Sequence, residues 1–231
     1  DYGGLGLGHL ELCVIAEELG RFLAPVPFSS SVYLFTEAII NYASDEIKKD
    51  LLPKLVSGEV VGTLAITESF QAPTSENIET LSENGTLNGK KIGVPDAEIA
   101  THTIVVCKTN NGISLQLIDL SSSGVTVEHQ ENIDESRGHF SIAFENTESK
   151  LIGDDGGGWD LYESLINQAA VLFAYEQIGG SQASLDMAIN YAKERYAFGR
   201  PIGSFQAIKH KLADMYVALT LAKSNCYYAA W

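Results

Sequence analysis

The stretch YAKERYAFGRPIGSFQAIKHKLADM, residues 191–215, carries five Lys or Arg and two acidic residues in a chain whose formal net charge is −15. Its centre, FGRPIG at 198–203, sets glycines and a proline between two runs of helical period. One long helix is therefore expected to end there and another to begin, with Ser204 as the N-cap of the second. The break leaves Arg195 in the last turn of the first helix, Phe198 and Gly199 in the corner, and Gln206 in the first turn of the next. A guanidinium fork binds a pyrophosphate bidentately, an aromatic ring covers a flat heterocycle, and the free N–H groups of a helix start favour an anion. That combination suits a dinucleotide. The plain alternative is a helix hairpin whose basic residues pair with nearby acids or with the helix C-terminus.

Upstream of the corner, residues 160–194 are helical in period. Val171, Ile178, Leu185, Ile189 and Ala192 form one stripe and Leu161, Leu165, Ala169 and Leu172 another, so this helix is expected to be packed over much of its circumference. Gly179 and Gly180 inside it predict a close helix contact at a local cost in helix propensity. Between about 60 and 150 the period changes to two. VVGTLAI, GTLNGKKIGV, HTIVVCKT, ISLQLIDL, VTVEH and HFSIAFENT read as strands separated by Asn, Gly and Ser turns, with NNG at 110–112 as a hairpin signal. Residues 9–57 return to helices. HLELCVIAEELGRFL places Leu12, Ile15, Ala16 and Leu19 on one face with Gly20 at its end, a second helix follows near 31–43, and Ser44 N-caps a third that points Ile47, Leu51 and Leu52 to one side.

The fold class expected from this order is α and β multidomain: a helical segment, a small antiparallel β-barrel or sandwich, then long antiparallel helices. The corresponding boundaries are 1–59 for part of an N-terminal helical domain, 60–152 for a β domain and 153–231 for part of a C-terminal helical domain.

Composition narrows the partners. Acidic residues number 30 against 15 Lys and Arg, with a pI near 4.6, so phosphate backbones and anionic lipid surfaces are repelled by most of this surface. Neither nucleic acid nor a membrane is expected, and an anionic ligand needs a local pocket. The apolar runs are interrupted by charge short of a membrane span, and Cys13, Cys107 and Cys226 are widely spaced and odd in number, each in an apolar run. Buried thiols in a reducing compartment, the cytoplasm, are the expectation, with no metal site.

The quoted corner closely resembles the C-terminal signature of the acyl-CoA dehydrogenase family, in which R-x-x-F-G and the following F-Q contact FAD, often that of a neighbouring subunit. The resemblance continues in register through YGGLGLGHLELCVIAEELGR at 2–21, LLPKLVSGEVVGTLAITE at 51–68 and LNGKKIGV at 87–94. It spans essentially the whole chain, which is then expected to be the middle of a longer protein. It implies FAD-dependent α,β-dehydrogenation of an acyl-CoA thioester to an enoyl-CoA, with an electron-transferring flavoprotein as acceptor and assembly into homo- or hetero-oligomers. It assigns Thr67 to the flavin ring, Ile66 beside it through backbone contacts, and Arg195, Phe198 and Gln206 to the diphosphate end.

The chain departs from the family pattern in three places. Members usually follow T-E with a Gly-rich turn ending in Gly-Ser-Asp, whereas TESFQAPTSEN offers Thr74 or Ser75 as the substrate-side hydroxyl and has Pro73 in place of an N–H donor. Where members place an aromatic residue and a Thr near flavin N5, KKIGVPDAE has Gly93 and Pro95. Counting back from Arg195, the position of a substrate-contacting Arg is Ala170, and the position where one branch carries its base is Ala169. No residue is assigned as the catalytic base, which in most members lies in the helices beyond the position of Trp231. Glu163 and Glu176 are out of register and are expected to be solvated or salt-bridged. An alternative reading is a non-catalytic partner subunit that shares an FAD site within a hetero-oligomer.

Overall fold

The computed structural model describes residues 2–134 and 136–231. Its helices are α1 (His9–Phe22), α2 (Glu37–Tyr42), α3 (Asp45–Ser57), α4 (Gly158–Glu194) and α5 (Gln206–Ala230). Its strands are β1 (Gly62–Ala65), β2 (Leu81–Glu83), β3 (Thr86–Pro95), β4 (His102–Thr109), β5 (Gly112–Asp119), β6 (Val125–Gln130), β7 (His139–Glu148), β8 (Lys150–Ile152), β9 (Tyr196–Ala197) and β10 (Arg200–Pro201). The chain divides into two compact units. One comprises residues 1–5 and 25–169, the other residues 6–24 and 170–231.

The first unit is built on an eight-stranded sheet in the order β6-β7-β3-β2-β4-β5-β8, with β1 beside β4. The expected closed antiparallel barrel is not what forms. β1 runs parallel to β4 from Gly62↔His102 to Ala65↔Val105, β2 meets β4 in parallel at Leu81↔Lys108, and β6 and β8 each pair on one side. The sheet is thus mixed and open. Period-two alternation identifies a strand but is blind to the direction in which it pairs, and the parallel pairs here join strands separated by long connections. The Asn110–Asn111 link does close a hairpin, pairing Thr109 with Gly112. Ala65, Leu87, Val105, Cys107, Ile118, Phe140, Ile142 and Phe144 come from both arms of the sheet and bury one another in a single cluster. Before the sheet, a π-helical turn at Ser29–Thr36 runs into α2 in place of one continuous helix. Ser44 Oγ accepts the Ile47 N–H at 3.4 Å, so the expected cap on α3 is present, with Leu51 and Leu52 buried.

In the second unit the buried face of α1 is Cys13, Ala16 and Gly20, with Ile15 turned to solvent. Gly20 does not end the helix; Leu23 caps it at φ 46. Gly20 instead admits the backbone of α4. A Cβ there would lie 1.9 Å from the Glu176 carbonyl oxygen, and one on Gly179 would lie 1.8 Å from the Glu17 carbonyl oxygen. The glycines at 20 and 179 therefore set how near the two helix backbones come, and the close contact predicted for Gly179 is real. Arg21 pairs with Asp186 at 3.0 Å, Lys223 pairs with Glu17, and Tyr175 meets Tyr227 edge-on at 5.9 Å. None of the residues of α5 is buried.

Cys13 and Cys107 are buried and Cys226 is half-buried, all as free thiols. Burial pushes the Cys107 thiol up to about 12, which leaves it protonated and inert. Among the described residues no helix is long and apolar enough to cross a membrane, and no cluster of His, Cys, Asp and Glu is arranged to hold a metal.

Candidate functional site

The residues singled out in the sequence fall into two sets, Ile66, Thr67, Thr74 and Ser75 in the first unit and Arg195, Phe198 and Gln206 in the second.

In the first set, Ile66 and Thr67 continue from the end of β1 and are half-buried. The Thr67 carbonyl accepts the Ile92 N–H at 2.8 Å, and the Ile66 carbonyl accepts a hydrogen bond from Lys91 Nζ at 3.0 Å. Glu68 then turns inward and takes three donors: the backbone N–H groups of Glu79 at 2.6 Å and Thr80 at 3.0 Å, and Lys91 Nζ at 2.5 Å. Burial alone would raise the Glu68 carboxyl, but the Lys91 and Thr80 hydrogen bonds outweigh it and hold the carboxyl below the ordinary glutamate value. Thr74 and Ser75 are exposed in the loop that leads back to Thr80. That loop is organised by Asn77, whose side chain accepts the Thr74 N–H at 2.7 Å and donates to the Ala72 carbonyl at 2.9 Å. A self-contained Asn turn thus does the folding that a Gly-rich turn would otherwise do. At Gly93, φ is +62 and a Cβ would meet nothing within 4 Å, so the position is open as well as small. Its N–H donates to Gln130 Oε1 at 2.7 Å.

In the second set, α4 ends at Glu194, and the chain turns through a two-residue hairpin that pairs Ala197 with Arg200 around Phe198 and Gly199. Both loop residues have positive φ, 54 for Phe198 and 79 for Gly199, as a type I′ turn requires. Glycine adopts this freely; a Phe pays for its Cβ. The ring it carries is 96% exposed. It touches Phe205 edge-on at 6.2 Å, and Arg200 stacks 4.1 Å above the Phe205 ring, so the neighbouring aromatic is held in place. Arg195 is exposed; its backbone N–H reaches Tyr191 at 2.8 Å and its carbonyl accepts the Ile202 N–H at 2.8 Å, while among the described residues its guanidinium has no partner. Gln206 opens α5. The expected Ser204 cap is absent: Ser204 Oγ donates to the Pro201 carbonyl at 2.7 Å, and Phe205 occupies the cap position with no side-chain hydrogen bond. A short 3₁₀ turn at Ile202–Ser204 shifts the helix start by one residue, and the first turn of α5 is left without a cap or an acid.

The surface at 195–206 therefore presents an unpaired guanidinium, an exposed ring, an amide and uncapped helix N–H groups in sequence. Two family models, "Acyl-CoA dehydrogenase, N-terminal domain" over residues 1–59 and "Acyl-CoA dehydrogenase, C-terminal domain" over residues 156–231, match the chain. The chain belongs to the acyl-CoA dehydrogenase family. It is 31% identical over its whole length to the mitochondrial isovaleryl-CoA dehydrogenase of Oryza sativa subsp. japonica, of which it covers 60%. Among solved structures it superposes on PigA with FAD and proline with a TM-score of 0.90 and 27% identity, over 100% of this chain and 65% of that one. A variant of the Tcur3481-Tcur3483 steroid ACAD matches with a TM-score of 0.86 and 29% identity, over 99% of this chain and 62% of that one. The chain thus spans about 60% of the length of the rice relative it matches.

At the two positions compared with the family pattern, Ala169 is buried and Ala170 exposed, and neither alanine offers a titratable group. Glu163 is exposed and accepts the Trp159 indole N–H at 2.8 Å. Sequence reasoning passed over Lys91, although the alternation of LNGKKIGV places it at the same parity as the buried Leu87. It also passed over Arg200, whose stacking on Phe205 has no sequence signature beyond residue type.

Proposed function

We propose that this chain holds the flavin-binding part of an FAD-dependent acyl-CoA dehydrogenase, an oxidoreductase that removes two hydrogens from the α and β carbons of an acyl-CoA thioester. When bound, FAD supplies the acceptor for the β-hydrogen as hydride. Ile66 and Thr67 offer backbone and hydroxyl contacts to the flavin ring, and Thr74 or Ser75 offers a hydroxyl on the substrate side. Arg195, Phe198 and Gln206 take the diphosphate end of a flavin belonging to a neighbouring subunit, which requires an oligomer. The observation that carries this reading is Phe198: a non-glycine residue at φ 54 whose ring meets the edge of Phe205 and is otherwise turned to solvent, 96% exposed. The unpartnered Arg195 beside it supports the same reading. The names of the rice relative and of the PigA structure agree with CoA thioesters and with FAD respectively. Electrons would pass to an electron-transferring flavoprotein. Free thiols and the lack of a spanning helix among the described residues support a reducing aqueous compartment, the cytoplasm.

A second reading has its own support. The paired designation of the steroid ACAD, together with alanine at 169 and 170 and the open space at Gly93, favours a subunit that completes a partner's flavin site without performing chemistry. The same space at Gly93 suits a bulky acyl group. Expression of the intact protein alone separates the two. Flavin absorbance near ~450 nm that bleaches on adding an acyl-CoA supports the enzyme. A colourless protein that acquires flavin only with a co-expressed homologue supports the partner subunit, and a protein that takes no flavin in either case overturns both.

A further inference from the structure

Lys91 is 0% exposed, and among the described residues no other Lys or Arg is buried. A buried ammonium is costly unless every nearby contact compensates it, and its contacts here converge on one short segment. Nζ donates to the Ile66 carbonyl at 3.0 Å and to Glu68 Oε1 at 2.5 Å, skipping the residue between them. That residue, Thr67, is tied by its own carbonyl to the Ile92 N–H at 2.8 Å, one position beyond Lys91 on β3. The segment 66–68 is therefore stitched to β3 at three consecutive residues. In a trans peptide the carbonyl and the following N–H point in opposite directions. With the Ile66 carbonyl turned to Lys91, the Thr67 N–H is directed away from it, and among the described residues neither that N–H nor the Thr67 hydroxyl has a partner. A half-buried residue with two unused donors awaits an acceptor.

We propose that Lys91, held by Glu68, is a positioning residue that fixes the orientation of the Ile66–Thr67 peptide, so that the Thr67 N–H is presented to an acceptor on the flavin ring. The proposal rests on the FAD reading above and deepens it. Glu68 has a second task, because its other contacts, to the Glu79 and Thr80 N–H groups, close the far end of the 69–80 loop. The ion pair thus holds the start and the end of this loop from beneath. Burial lowers the affinity of Lys91 for its proton by more than the Glu68 hydrogen bond and charge raise it.

The test uses the intact protein purified with its flavin, the Lys91→Met variant, the Lys91→Met/Glu68→Gln double variant and the Lys91→Arg variant, with Arg195→Ala as the control that bears on flavin binding alone. Three quantities are read: amide exchange at Thr67 and Ile92 after flavin removal, the FAD dissociation constant, and the flavin absorbance spectrum at saturating FAD. The double variant removes both charges and so leaves no isolated buried ion if the single variant fails to fold. In it, the Ile92 amide is expected to exchange about tenfold faster or more, FAD to bind about tenfold more weakly, as for the loss of one aligned hydrogen bond, and the spectrum to shift. Lys91→Arg is expected to restore the spectrum, which a merely structural lysine does not require. A lower melting temperature with wild-type exchange, affinity and spectrum overturns the proposal while leaving the FAD reading intact. Failure of the wild type to bind FAD, alone or with a homologue, overturns the FAD reading, and the exchange rates then still decide whether Lys91 locks the peptide.

Discussion

The segment at 66–68 and the corner at 195–206, which the proposed function assigns to the same kind of ligand, are built by opposite means. The first is supported from below by a buried ion pair, with the Ile66 and Thr67 carbonyls in use and, among the described residues, the Thr67 N–H and hydroxyl left without partners. The second consists of exposed side chains on a hairpin, with a backbone conformation that its own residue disfavours. A preorganised segment can hold a ring at fixed distances because its geometry is over-determined by the fold. On the proposed reading, an exposed guanidinium and ring suit the flexible diphosphate of a ligand brought by a second subunit, since their binding energy is realised only when water is displaced.

That contrast can be broken most forcefully at its buried end. Lys91→Met strands the Glu68 carboxylate and is expected to cost about 3–5 kcal/mol, measured by denaturant unfolding, whereas the double variant with Glu68→Gln recovers most of it. Gly179→Leu drives a side chain against the Glu17 carbonyl, which a Cβ alone would meet at 1.8 Å. Separation of α1 from α4 is expected to lower stability by about 1–3 kcal/mol, read as a drop in melting temperature. Arg195→Ala sharpens the comparison from the exposed end. Flavin retention should fall about 10- to 100-fold with stability changed by less than about 0.5 kcal/mol, so unchanged flavin content in the purified variant would remove the corner from the site. Phe198→Gly is the mildest. It relieves the positive φ and is expected to stabilise the chain by about 1 kcal/mol while weakening flavin binding, and a loss of stability instead would show the ring to be structural.

Acidity distinguishes the regions too. The Glu68 carboxyl is held below its ordinary value, so the folded state binds its proton less readily than the unfolded chain. Its contribution is complete above about pH 4.3 and is lost as pH falls through the lower folded value. Acid titration followed by amide exchange should therefore loosen the 66–80 loop as Glu68 gains its proton, whereas the close backbone approach at Gly20 and Gly179 contains no titrating group and the Arg21–Asp186 pair beside it is solvent-exposed and contributes little.

Much of the molecule is legible in its residues taken singly. Ser44 as a cap, Gly179 as a contact, the Asn110–Asn111 hairpin and the long helix through 158–194 all follow from chemistry within a few residues, and the specific run at 191–215 identifies the family. Other readings failed where the deciding partner lay far along the chain. Gly20 reads as a helix end until the Glu176 backbone is found against it, and Ser204 reads as a cap until the 3₁₀ turn moves the cap position to Phe205. The parallel pairing of β1 and β2 with β4, which opens the expected barrel, is set by which strands the connections bring together. Lys91 is the sharpest case. Local pattern determined that it points inward, because strand periodicity is a property of neighbouring residues, but only the tertiary structure decided that an inward lysine finds the Ile66 carbonyl and the Glu68 carboxylate, because a buried charge is satisfied by groups that distance in sequence does not predict.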